Sequence, residues 1–243
     1  MDLLIDIGNT NLKWVSSEAC NLSEMRSARH HDALPMDLHS AWEQLSSPGK
    51  ILVSSVAAES VTESLVRTCR SLWGVEPDLV QTKGVSCGVT IAYAEPKRLG
   101  VDRWLALLAG HRLCVEPVLI VDVGTAVTYD LLLPNGRHLG GLILPGIEMM
   151  RGELLVRTQI PLLECVDIDA SWATDTATAI AVGSIQALAA LAERLLQRLF
   201  EATGTDPALL ITGGDAERLL PALTVSARLE PDLVLQGLAL LLD

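Results

Sequence analysis

Two short segments constrain this chain more than anything else in it. Residues 4–14 read LIDIGNTNLKW and residues 119–132 read LIVDVGTAVTYDLL. Each is an apolar run that ends in an aspartate, turns at a glycine followed by Asn-Thr or Thr, and resumes as a second run. That pattern describes two strands joined by a tight turn. It occurs once near the start and once just past the middle, so the chain reads as mixed α/β with two similarly designed halves. Pro117 marks the division, giving residues 1–116 and 117–243 as the two expected domains.

The rest of the pattern fits that plan. KILVSSV (50–56) and ALLITGG (208–214) are short buried strands, the latter entering a glycine turn. Residues 59–73 have helical spacing and end at Gly74 and Pro77; residues 97–114 are a loop feeding a helix, and another helix is expected near 147–155. A long helix runs from a cap at Thr174 or Asp175 to Gly204, its front half rich in Ala, Gly and Ser, which permits close approach by a neighbour. PDLVLQGLALLLD forms a last helix. Nearly half of the residues are hydrophobic, yet one Phe and two Tyr occur, so the interior is built from Leu, Val, Ile and Ala.

The bulk numbers narrow the function classes. A net charge of −12 leaves no basic patch of the size nucleic acid demands. Five scattered cysteines (Cys20, Cys69, Cys87, Cys114 and Cys165) without a Cys-x-x-Cys pair argue against a disulfide framework and a zinc site. The chain starts directly with a strand and shows no signal peptide, and its apolar runs, such as LVLQGLALLL, fall short of the ~20 residues that cross a bilayer. A cytoplasmic protein with no membrane and no nucleic-acid partner is expected.

The two acidic turns carry the chemistry. A carboxylate at the end of a buried strand is costly unless it is paired, hydrogen-bonded or beside a cation. A glycine two residues later allows a turn whose backbone N–H groups face a concavity suited to phosphate oxygens. Asn and Thr add donors, the acid can hold Mg2+, and Lys13 on the departing strand can supply a positive charge. The alternative is an ordinary hairpin with Asp capping the turn. No Walker loop or Rossmann fingerprint occurs.

A third element is YAEPKRLGVDRWLALLAG, which places Asp102 and Arg103 at the mouth of a helix just after Gly100. Asp102 reads equally as a helix-start carboxylate or as a general base for a substrate hydroxyl, with Arg103 binding an anionic group. ITGGDAE (211–217) can line the adenosine side of a nucleotide or serve as a plain strand-to-helix turn. His30, His31 and His39 lie in a polar, loop-like stretch, where paired surface histidines lack a fixed ligand geometry. Trp104 and Trp172 read as packing residues.

DIGNTN, GVDR, DVGTA, GGLILPGIEMM and DTATAI, in that order, resemble the type III pantothenate kinases of the acetate kinase and actin superfamily. The resemblance spans residues 6–214 and implies two duplicated ribonuclease-H-like (actin-like ATPase) domains with a nucleotide cleft between them. It implies that Asp6, Ile7, Gly8, Asn9, Thr10, Asn11, Leu12 and Lys13 form an ATP motif, with Thr125 a further ATP contact. Asp102 is then the proton acceptor acting on the pantothenate hydroxyl. Gly100, Val101, Asp102 and Arg103 form the substrate loop, joined by Tyr93 and Thr176. Asp122 matches a ligand of a monovalent cation (K+ or NH4+), and Asp6 is expected to place Mg2+ through water. Val101 stands where the family often has Ala. The family implies a homodimer acting on pantothenate and ATP. Two alternatives share the fold: another small-molecule kinase, or a non-catalytic regulator of the Bvg accessory type.

Overall fold

A computed structural model describes residues 1–18, 21–30, 33–158, 160 and 172–242. The chain forms two compact units, one of Met1–Arg112 with Asp232–Asp243 and one of Leu113–Pro231.

The first unit is built on β1 (Asp2–Ile7), β2 (Asn11–Glu18), β3 (Asn21–Leu22), β4 (Arg26–Arg29), α1 (Met36–Glu43), β5 (Ile51–Ser55), α2 (Glu59–Trp73) and β6 (Asp78–Leu79). A small hairpin of β7 (Val85–Ser86) and β8 (Val89–Thr90) precedes α3 (Val101–Leu113). The sheet runs β3-β2-β1-β5-β6, with β4 also pairing to β2. β1 lies antiparallel to β2 and parallel to β5. It is buried on both faces, as a central strand must be. Leu3, Ile5 and Ile7 share a core with Leu38, Trp42, Leu65 and Cys69 of α1 and α2. Trp14, Trp42 and Trp73 meet there edge-on and tilted, at 6.1 and 5.5 Å between ring centres. By alternation Leu4 and Asp6 lie on the other face.

The second unit repeats this plan with β9 (Val118–Val123), β10 (Ala126–Leu132), β11 (His138–Pro145), α4 (Ile147–Arg157), α5 (Thr176–Thr203), β12 (Ala208–Thr212), α6 (Ala216–Leu219) and β13 (Arg228–Leu229). Its sheet order is β11-β10-β9-β12-β13, with β9 antiparallel to β10 and parallel to β12. Strand for strand this matches the first sheet, so the faint tetrapeptide repeat marks a duplicated α/β architecture. α5 begins at Asp175, whose carboxylate accepts the Thr178 N–H at 2.9 Å, and ends at Gly204 with φ +68°. Ile185, Leu188, Ala192 and Leu195 pack its buried face into the core around Val121, Tyr129 and Ile211.

By length and composition the 28-residue α5 could cross a bilayer, which corrects the expectation that no stretch approaches that length. Half of its most apolar stretch is buried, however, and it serves as the core helix of its unit. A final helix, α7 (Leu233–Ala239), packs over β1, β2 and β5 of the first unit. Gly237 lets it approach α3 closely, since a Cβ there would stand 2.0 Å from the Leu105 carbonyl oxygen.

Three sequence readings change. His30 is buried, at 3% exposure, because β4 pairs with β2 and carries it under the first turn. His39 sits on α1, with Nδ1 3.2 Å from Glu43. Trp172 is 89% exposed and packs no core, whereas Trp104 is fully buried. His31, Cys20 and Cys165 lie outside the described residues.

Candidate active site

In the first unit the sequence places an acid where β1 leaves the core. Asp6 is 9% exposed and accepts a hydrogen bond from Ser54 Oγ at 2.9 Å. Ser54 is its register partner on β5, so parallel pairing alone brings the two side chains to one face. Lys13 is the register partner of Asp6 on β2 and shares that face. The turn that follows is closed by Gly8 N–H donating to the Asn11 carbonyl at 2.9 Å. Asn9 and Asn11 are exposed at its tip. Ile7 and Leu12 are fully buried core residues, so they can reach a ligand only through their backbone.

The Gly100–Arg103 loop lies at the same end of the first sheet. Val56, just after β5, donates its N–H to the Ile7 carbonyl at 2.9 Å. Its Cγ1 also stands 4.0 Å from where a Cβ on Gly100 would be. Thr82 Oγ1 holds the Leu99 carbonyl at 2.9 Å and fixes the approach to α3. A side chain on Gly100 would meet Asp102 Oδ1 at 2.5 Å, so glycine leaves room for that carboxylate. Asp102 is partly exposed in the first turn of α3 and accepts the Arg103 N–H at 2.7 Å. The N-terminal dipole of α3 favours its ionised form, the form a general base needs. Arg103 is buried and donates from Nη1 to Tyr93 Oη at 3.2 Å, its guanidinium carbon 6.0 Å from that ring's centre. The structure thus joins Tyr93 to Arg103, ten residues on in the chain, across the loop between them.

In the second unit, Asp122 is the penultimate residue of β9, between its register partners Thr128 and Thr212. Two backbone segments, at Gly146 and at Gly213–Asp215, crowd around the turn after it. The Gly146 N–H bonds the Thr125 carbonyl at 2.9 Å and the Asp215 N–H bonds the Val123 carbonyl at 2.9 Å. Gly213, with φ +98°, passes so close that a Cβ would lie 2.4 Å from Val123 O and 2.5 Å from Asp122 Oδ1. Thr125 is exposed at the tip of the turn. Thr176 opens α5, away from that turn in sequence, and lines a groove of about 610 Å³ with Pro145, Met149, Leu154 and Ile180.

Each acidic turn therefore presents a carboxylate beside glycine-turn backbone, and the first unit adds an acid, a buried arginine and a tyrosine at the neighbouring loop. Sequence reasoning missed two residues that shape the first turn. Ser54 gave no signal beyond a hydroxyl, next to that of Ser55, at the end of an apolar strand. His30 Nε2 bonds the Gly8 carbonyl at 2.8 Å, and its main-chain N–H bonds that of Thr10 at 2.9 Å.

The type III pantothenate kinase family model matches residues 2–198. A protein from Nitrosococcus oceani named type III pantothenate kinase is 34% identical over 249 residues, covering 98% of this chain and 92% of its own. Among solved structures, a Campylobacter jejuni protein described as a Baf family transcriptional activator aligns with a TM-score of 0.60 at 21% identity, covering 97% of this chain and 94% of its own. The activator of 2-hydroxyisocaproyl-CoA dehydratase from Clostridium difficile, with bound ADPNP, aligns with a TM-score of 0.55 at 13% identity, covering 98% and 92%. At those identities the two structures speak to the fold, which is the actin-like ATPase fold. On the family match and the full-length relative, the chain belongs to the type III pantothenate kinase family.

Proposed function

We propose that the protein catalyses the ATP-dependent phosphorylation of pantothenate to 4'-phosphopantothenate, the first step of coenzyme A biosynthesis. The observation that carries this reading is the placement of Gly100–Arg103 beside the end of β1, where the first acidic turn begins, in a member of this family. In this reading Asp102 takes the proton of the pantothenate primary hydroxyl as the hydroxyl oxygen attacks the γ-phosphorus of ATP, whose bond to the β,γ-bridging oxygen breaks to release ADP. Arg103, oriented by Tyr93, binds the carboxylate of pantothenate, and Val101 and Thr176 shape the substrate site. The turns at Gly8–Thr10 and Gly124–Thr125 each offer backbone N–H groups to phosphate oxygens. Lys13 adds a positive charge on the face of Asp6.

The cofactors are Mg2+ with ATP and a monovalent cation, K+ or NH4+. Among the described residues no group of three or more His, Cys, Asp or Glu could enclose a metal. A single carboxylate such as Asp6 suits Mg2+, which keeps most of its waters and takes its other ligands from nucleotide phosphates. Bound there, Mg2+ would offset the charge of the transferring phosphoryl group. Asp122 would serve the monovalent cation. The protein works in the cytoplasm as a homodimer; the exposed Ile143, Met149 and Leu154 beside the apolar groove of the second unit support that assembly.

A coupled ADP-release assay with pantothenate, Mg-ATP and K+ tests the reading. Wild type should turn over only with pantothenate present, and Asp102→Asn should lose about 10²–10⁴-fold in turnover, the usual worth of a general base. A wild type that turns over nothing would sink the kinase reading and favour the accessory-regulator alternative. A fully active Asp102→Asn would leave the substrate and remove the base.

A further inference from the structure

We propose that His30 is a positioning residue of the kinase reaction: from outside the acidic motif it holds the Gly8–Thr10 turn with its amide toward the nucleotide phosphates. The proposal rests on the reading of that turn as phosphate-binding. Two bonds reach the turn from this one residue, Nε2 to Gly8 O at 2.8 Å and main-chain N to Thr10 O at 2.9 Å. A carbonyl only accepts, so Nε2 carries the ring proton. In a trans peptide the carbonyl and the following N–H point in opposite directions. Engaging Gly8 O on His30 therefore turns the Asn9 N–H away from the histidine.

The bond matters because the residue at position 8 is glycine. Without a Cβ, the Gly8–Asn9 peptide can rotate at little steric cost. Rotation would replace an N–H donor with a carbonyl oxygen, which repels phosphate. A donor on Gly8 O resists that rotation.

The other ring nitrogen shows that packing alone does not account for the histidine. Nδ1 is buried and has no hydrogen-bond partner among the described residues. An unsatisfied buried polar atom destabilises. A hydrocarbon ring would fill the same space without that cost. The donor at Nε2 is what an imidazole brings there.

The test uses the full chain and two variants. His30→Phe keeps ring volume, removes the unpartnered nitrogen and lacks the donor; His30→Gln keeps an N–H donor. ATP KM at saturating pantothenate, pantothenate KM at saturating ATP and Tm are measured for each. His30→Phe should change Tm little, because losing the unpartnered Nδ1 offsets the loss of the donor to Gly8 O, while raising ATP KM about tenfold, the equivalent of one lost hydrogen bond. Pantothenate KM should stay within about twofold, since the substrate loop is untouched. His30→Gln should recover most of the ATP KM. An unchanged ATP KM in a folded His30→Phe, against a working wild type, overturns the proposal alone. So does loss of fold in both variants, because the ring would then serve stability. A wild type that neither binds ATP nor phosphorylates pantothenate overturns the phosphate-turn reading and this proposal with it.

Discussion

Replacing Gly213 by alanine tests how closely the second acidic turn is set by its neighbours. The new Cβ would lie 2.4 Å from Val123 O and 2.5 Å from Asp122 Oδ1, whereas ordinary contact begins at 3.4 Å, so the strand end must shift by about 1 Å. Overpacking of that kind costs about 1–3 kcal/mol. The φ of +98° adds a second penalty, about 1–2 kcal/mol for an L-residue in the left-handed region. Together the variant should lose about 2–5 kcal/mol from a total that is typically about 5–15 kcal/mol. For a protein of this size that lowers Tm by about 4 °C or more. The folded fraction should turn over about 10²-fold more slowly, as expected when a binding group is misplaced by ~1 Å. Gly214→Ala is the control, because nothing lies within 4 Å of a Cβ there and its φ is not in the left-handed region. Thermal melts and initial rates at varied ATP decide the matter. If Gly213→Ala and Gly214→Ala are indistinguishable in both, the turn is not packed as described and the argument fails.

Ser54→Ala should destabilise by about 1.5–3 kcal/mol, since it deletes a buried hydrogen bond to the Asp6 carboxylate. It should also shift the Mg2+ dependence of the rate to higher concentration; an unaltered Mg2+ titration would separate Asp6 from the metal. The Thr178 N–H bound to Asp175 holds that carboxyl below its ordinary range. A depressed folded value means the stabilisation is fully present above the unfolded value of about 3.9 and is lost as pH falls through the folded one. Urea melts of wild type and Asp175→Ala should differ at pH 7 and converge in strong acid; a gap that does not close would assign the effect to something other than the ionised cap.

The elements most legible in the sequence were those whose ends carry local chemistry. Asp175 and Gly204 bracket α5 because a side-chain acceptor starts a helix and a left-handed glycine ends one. Gly74 does the same for α2, with φ +68°. Asp6 and Asp122 stood out because an acid in an apolar strand needs an explanation, and each proves to stand at the edge of its unit's core beside a glycine turn. The residues that were not legible depend on pairing between strands far apart in the chain. Ser54 meets Asp6 only because β5 aligns with β1 in one register. His30 comes under the turn only because β4, a polar RSAR strand with no apolar pattern to announce it, pairs with β2. Single-chain patterns carry period and caps; register is a property of two segments together. Trp172 was misread for a related reason, since size and hydrophobicity do not say whether a partner surface exists.

The return of α7 to the first unit has a consequence for the order in which the protein can be made. Asp6 and Asp102 leave the ribosome early, but the unit that holds them lacks its last helix until synthesis has passed Asp232. The second unit is one continuous run and can be completed before that point. A stop codon or protease cut just before Asp232 would therefore strike the unit encoded first, stripping the cover from β1 and the packing that Gly237 makes on Leu105, and leave the unit encoded later intact.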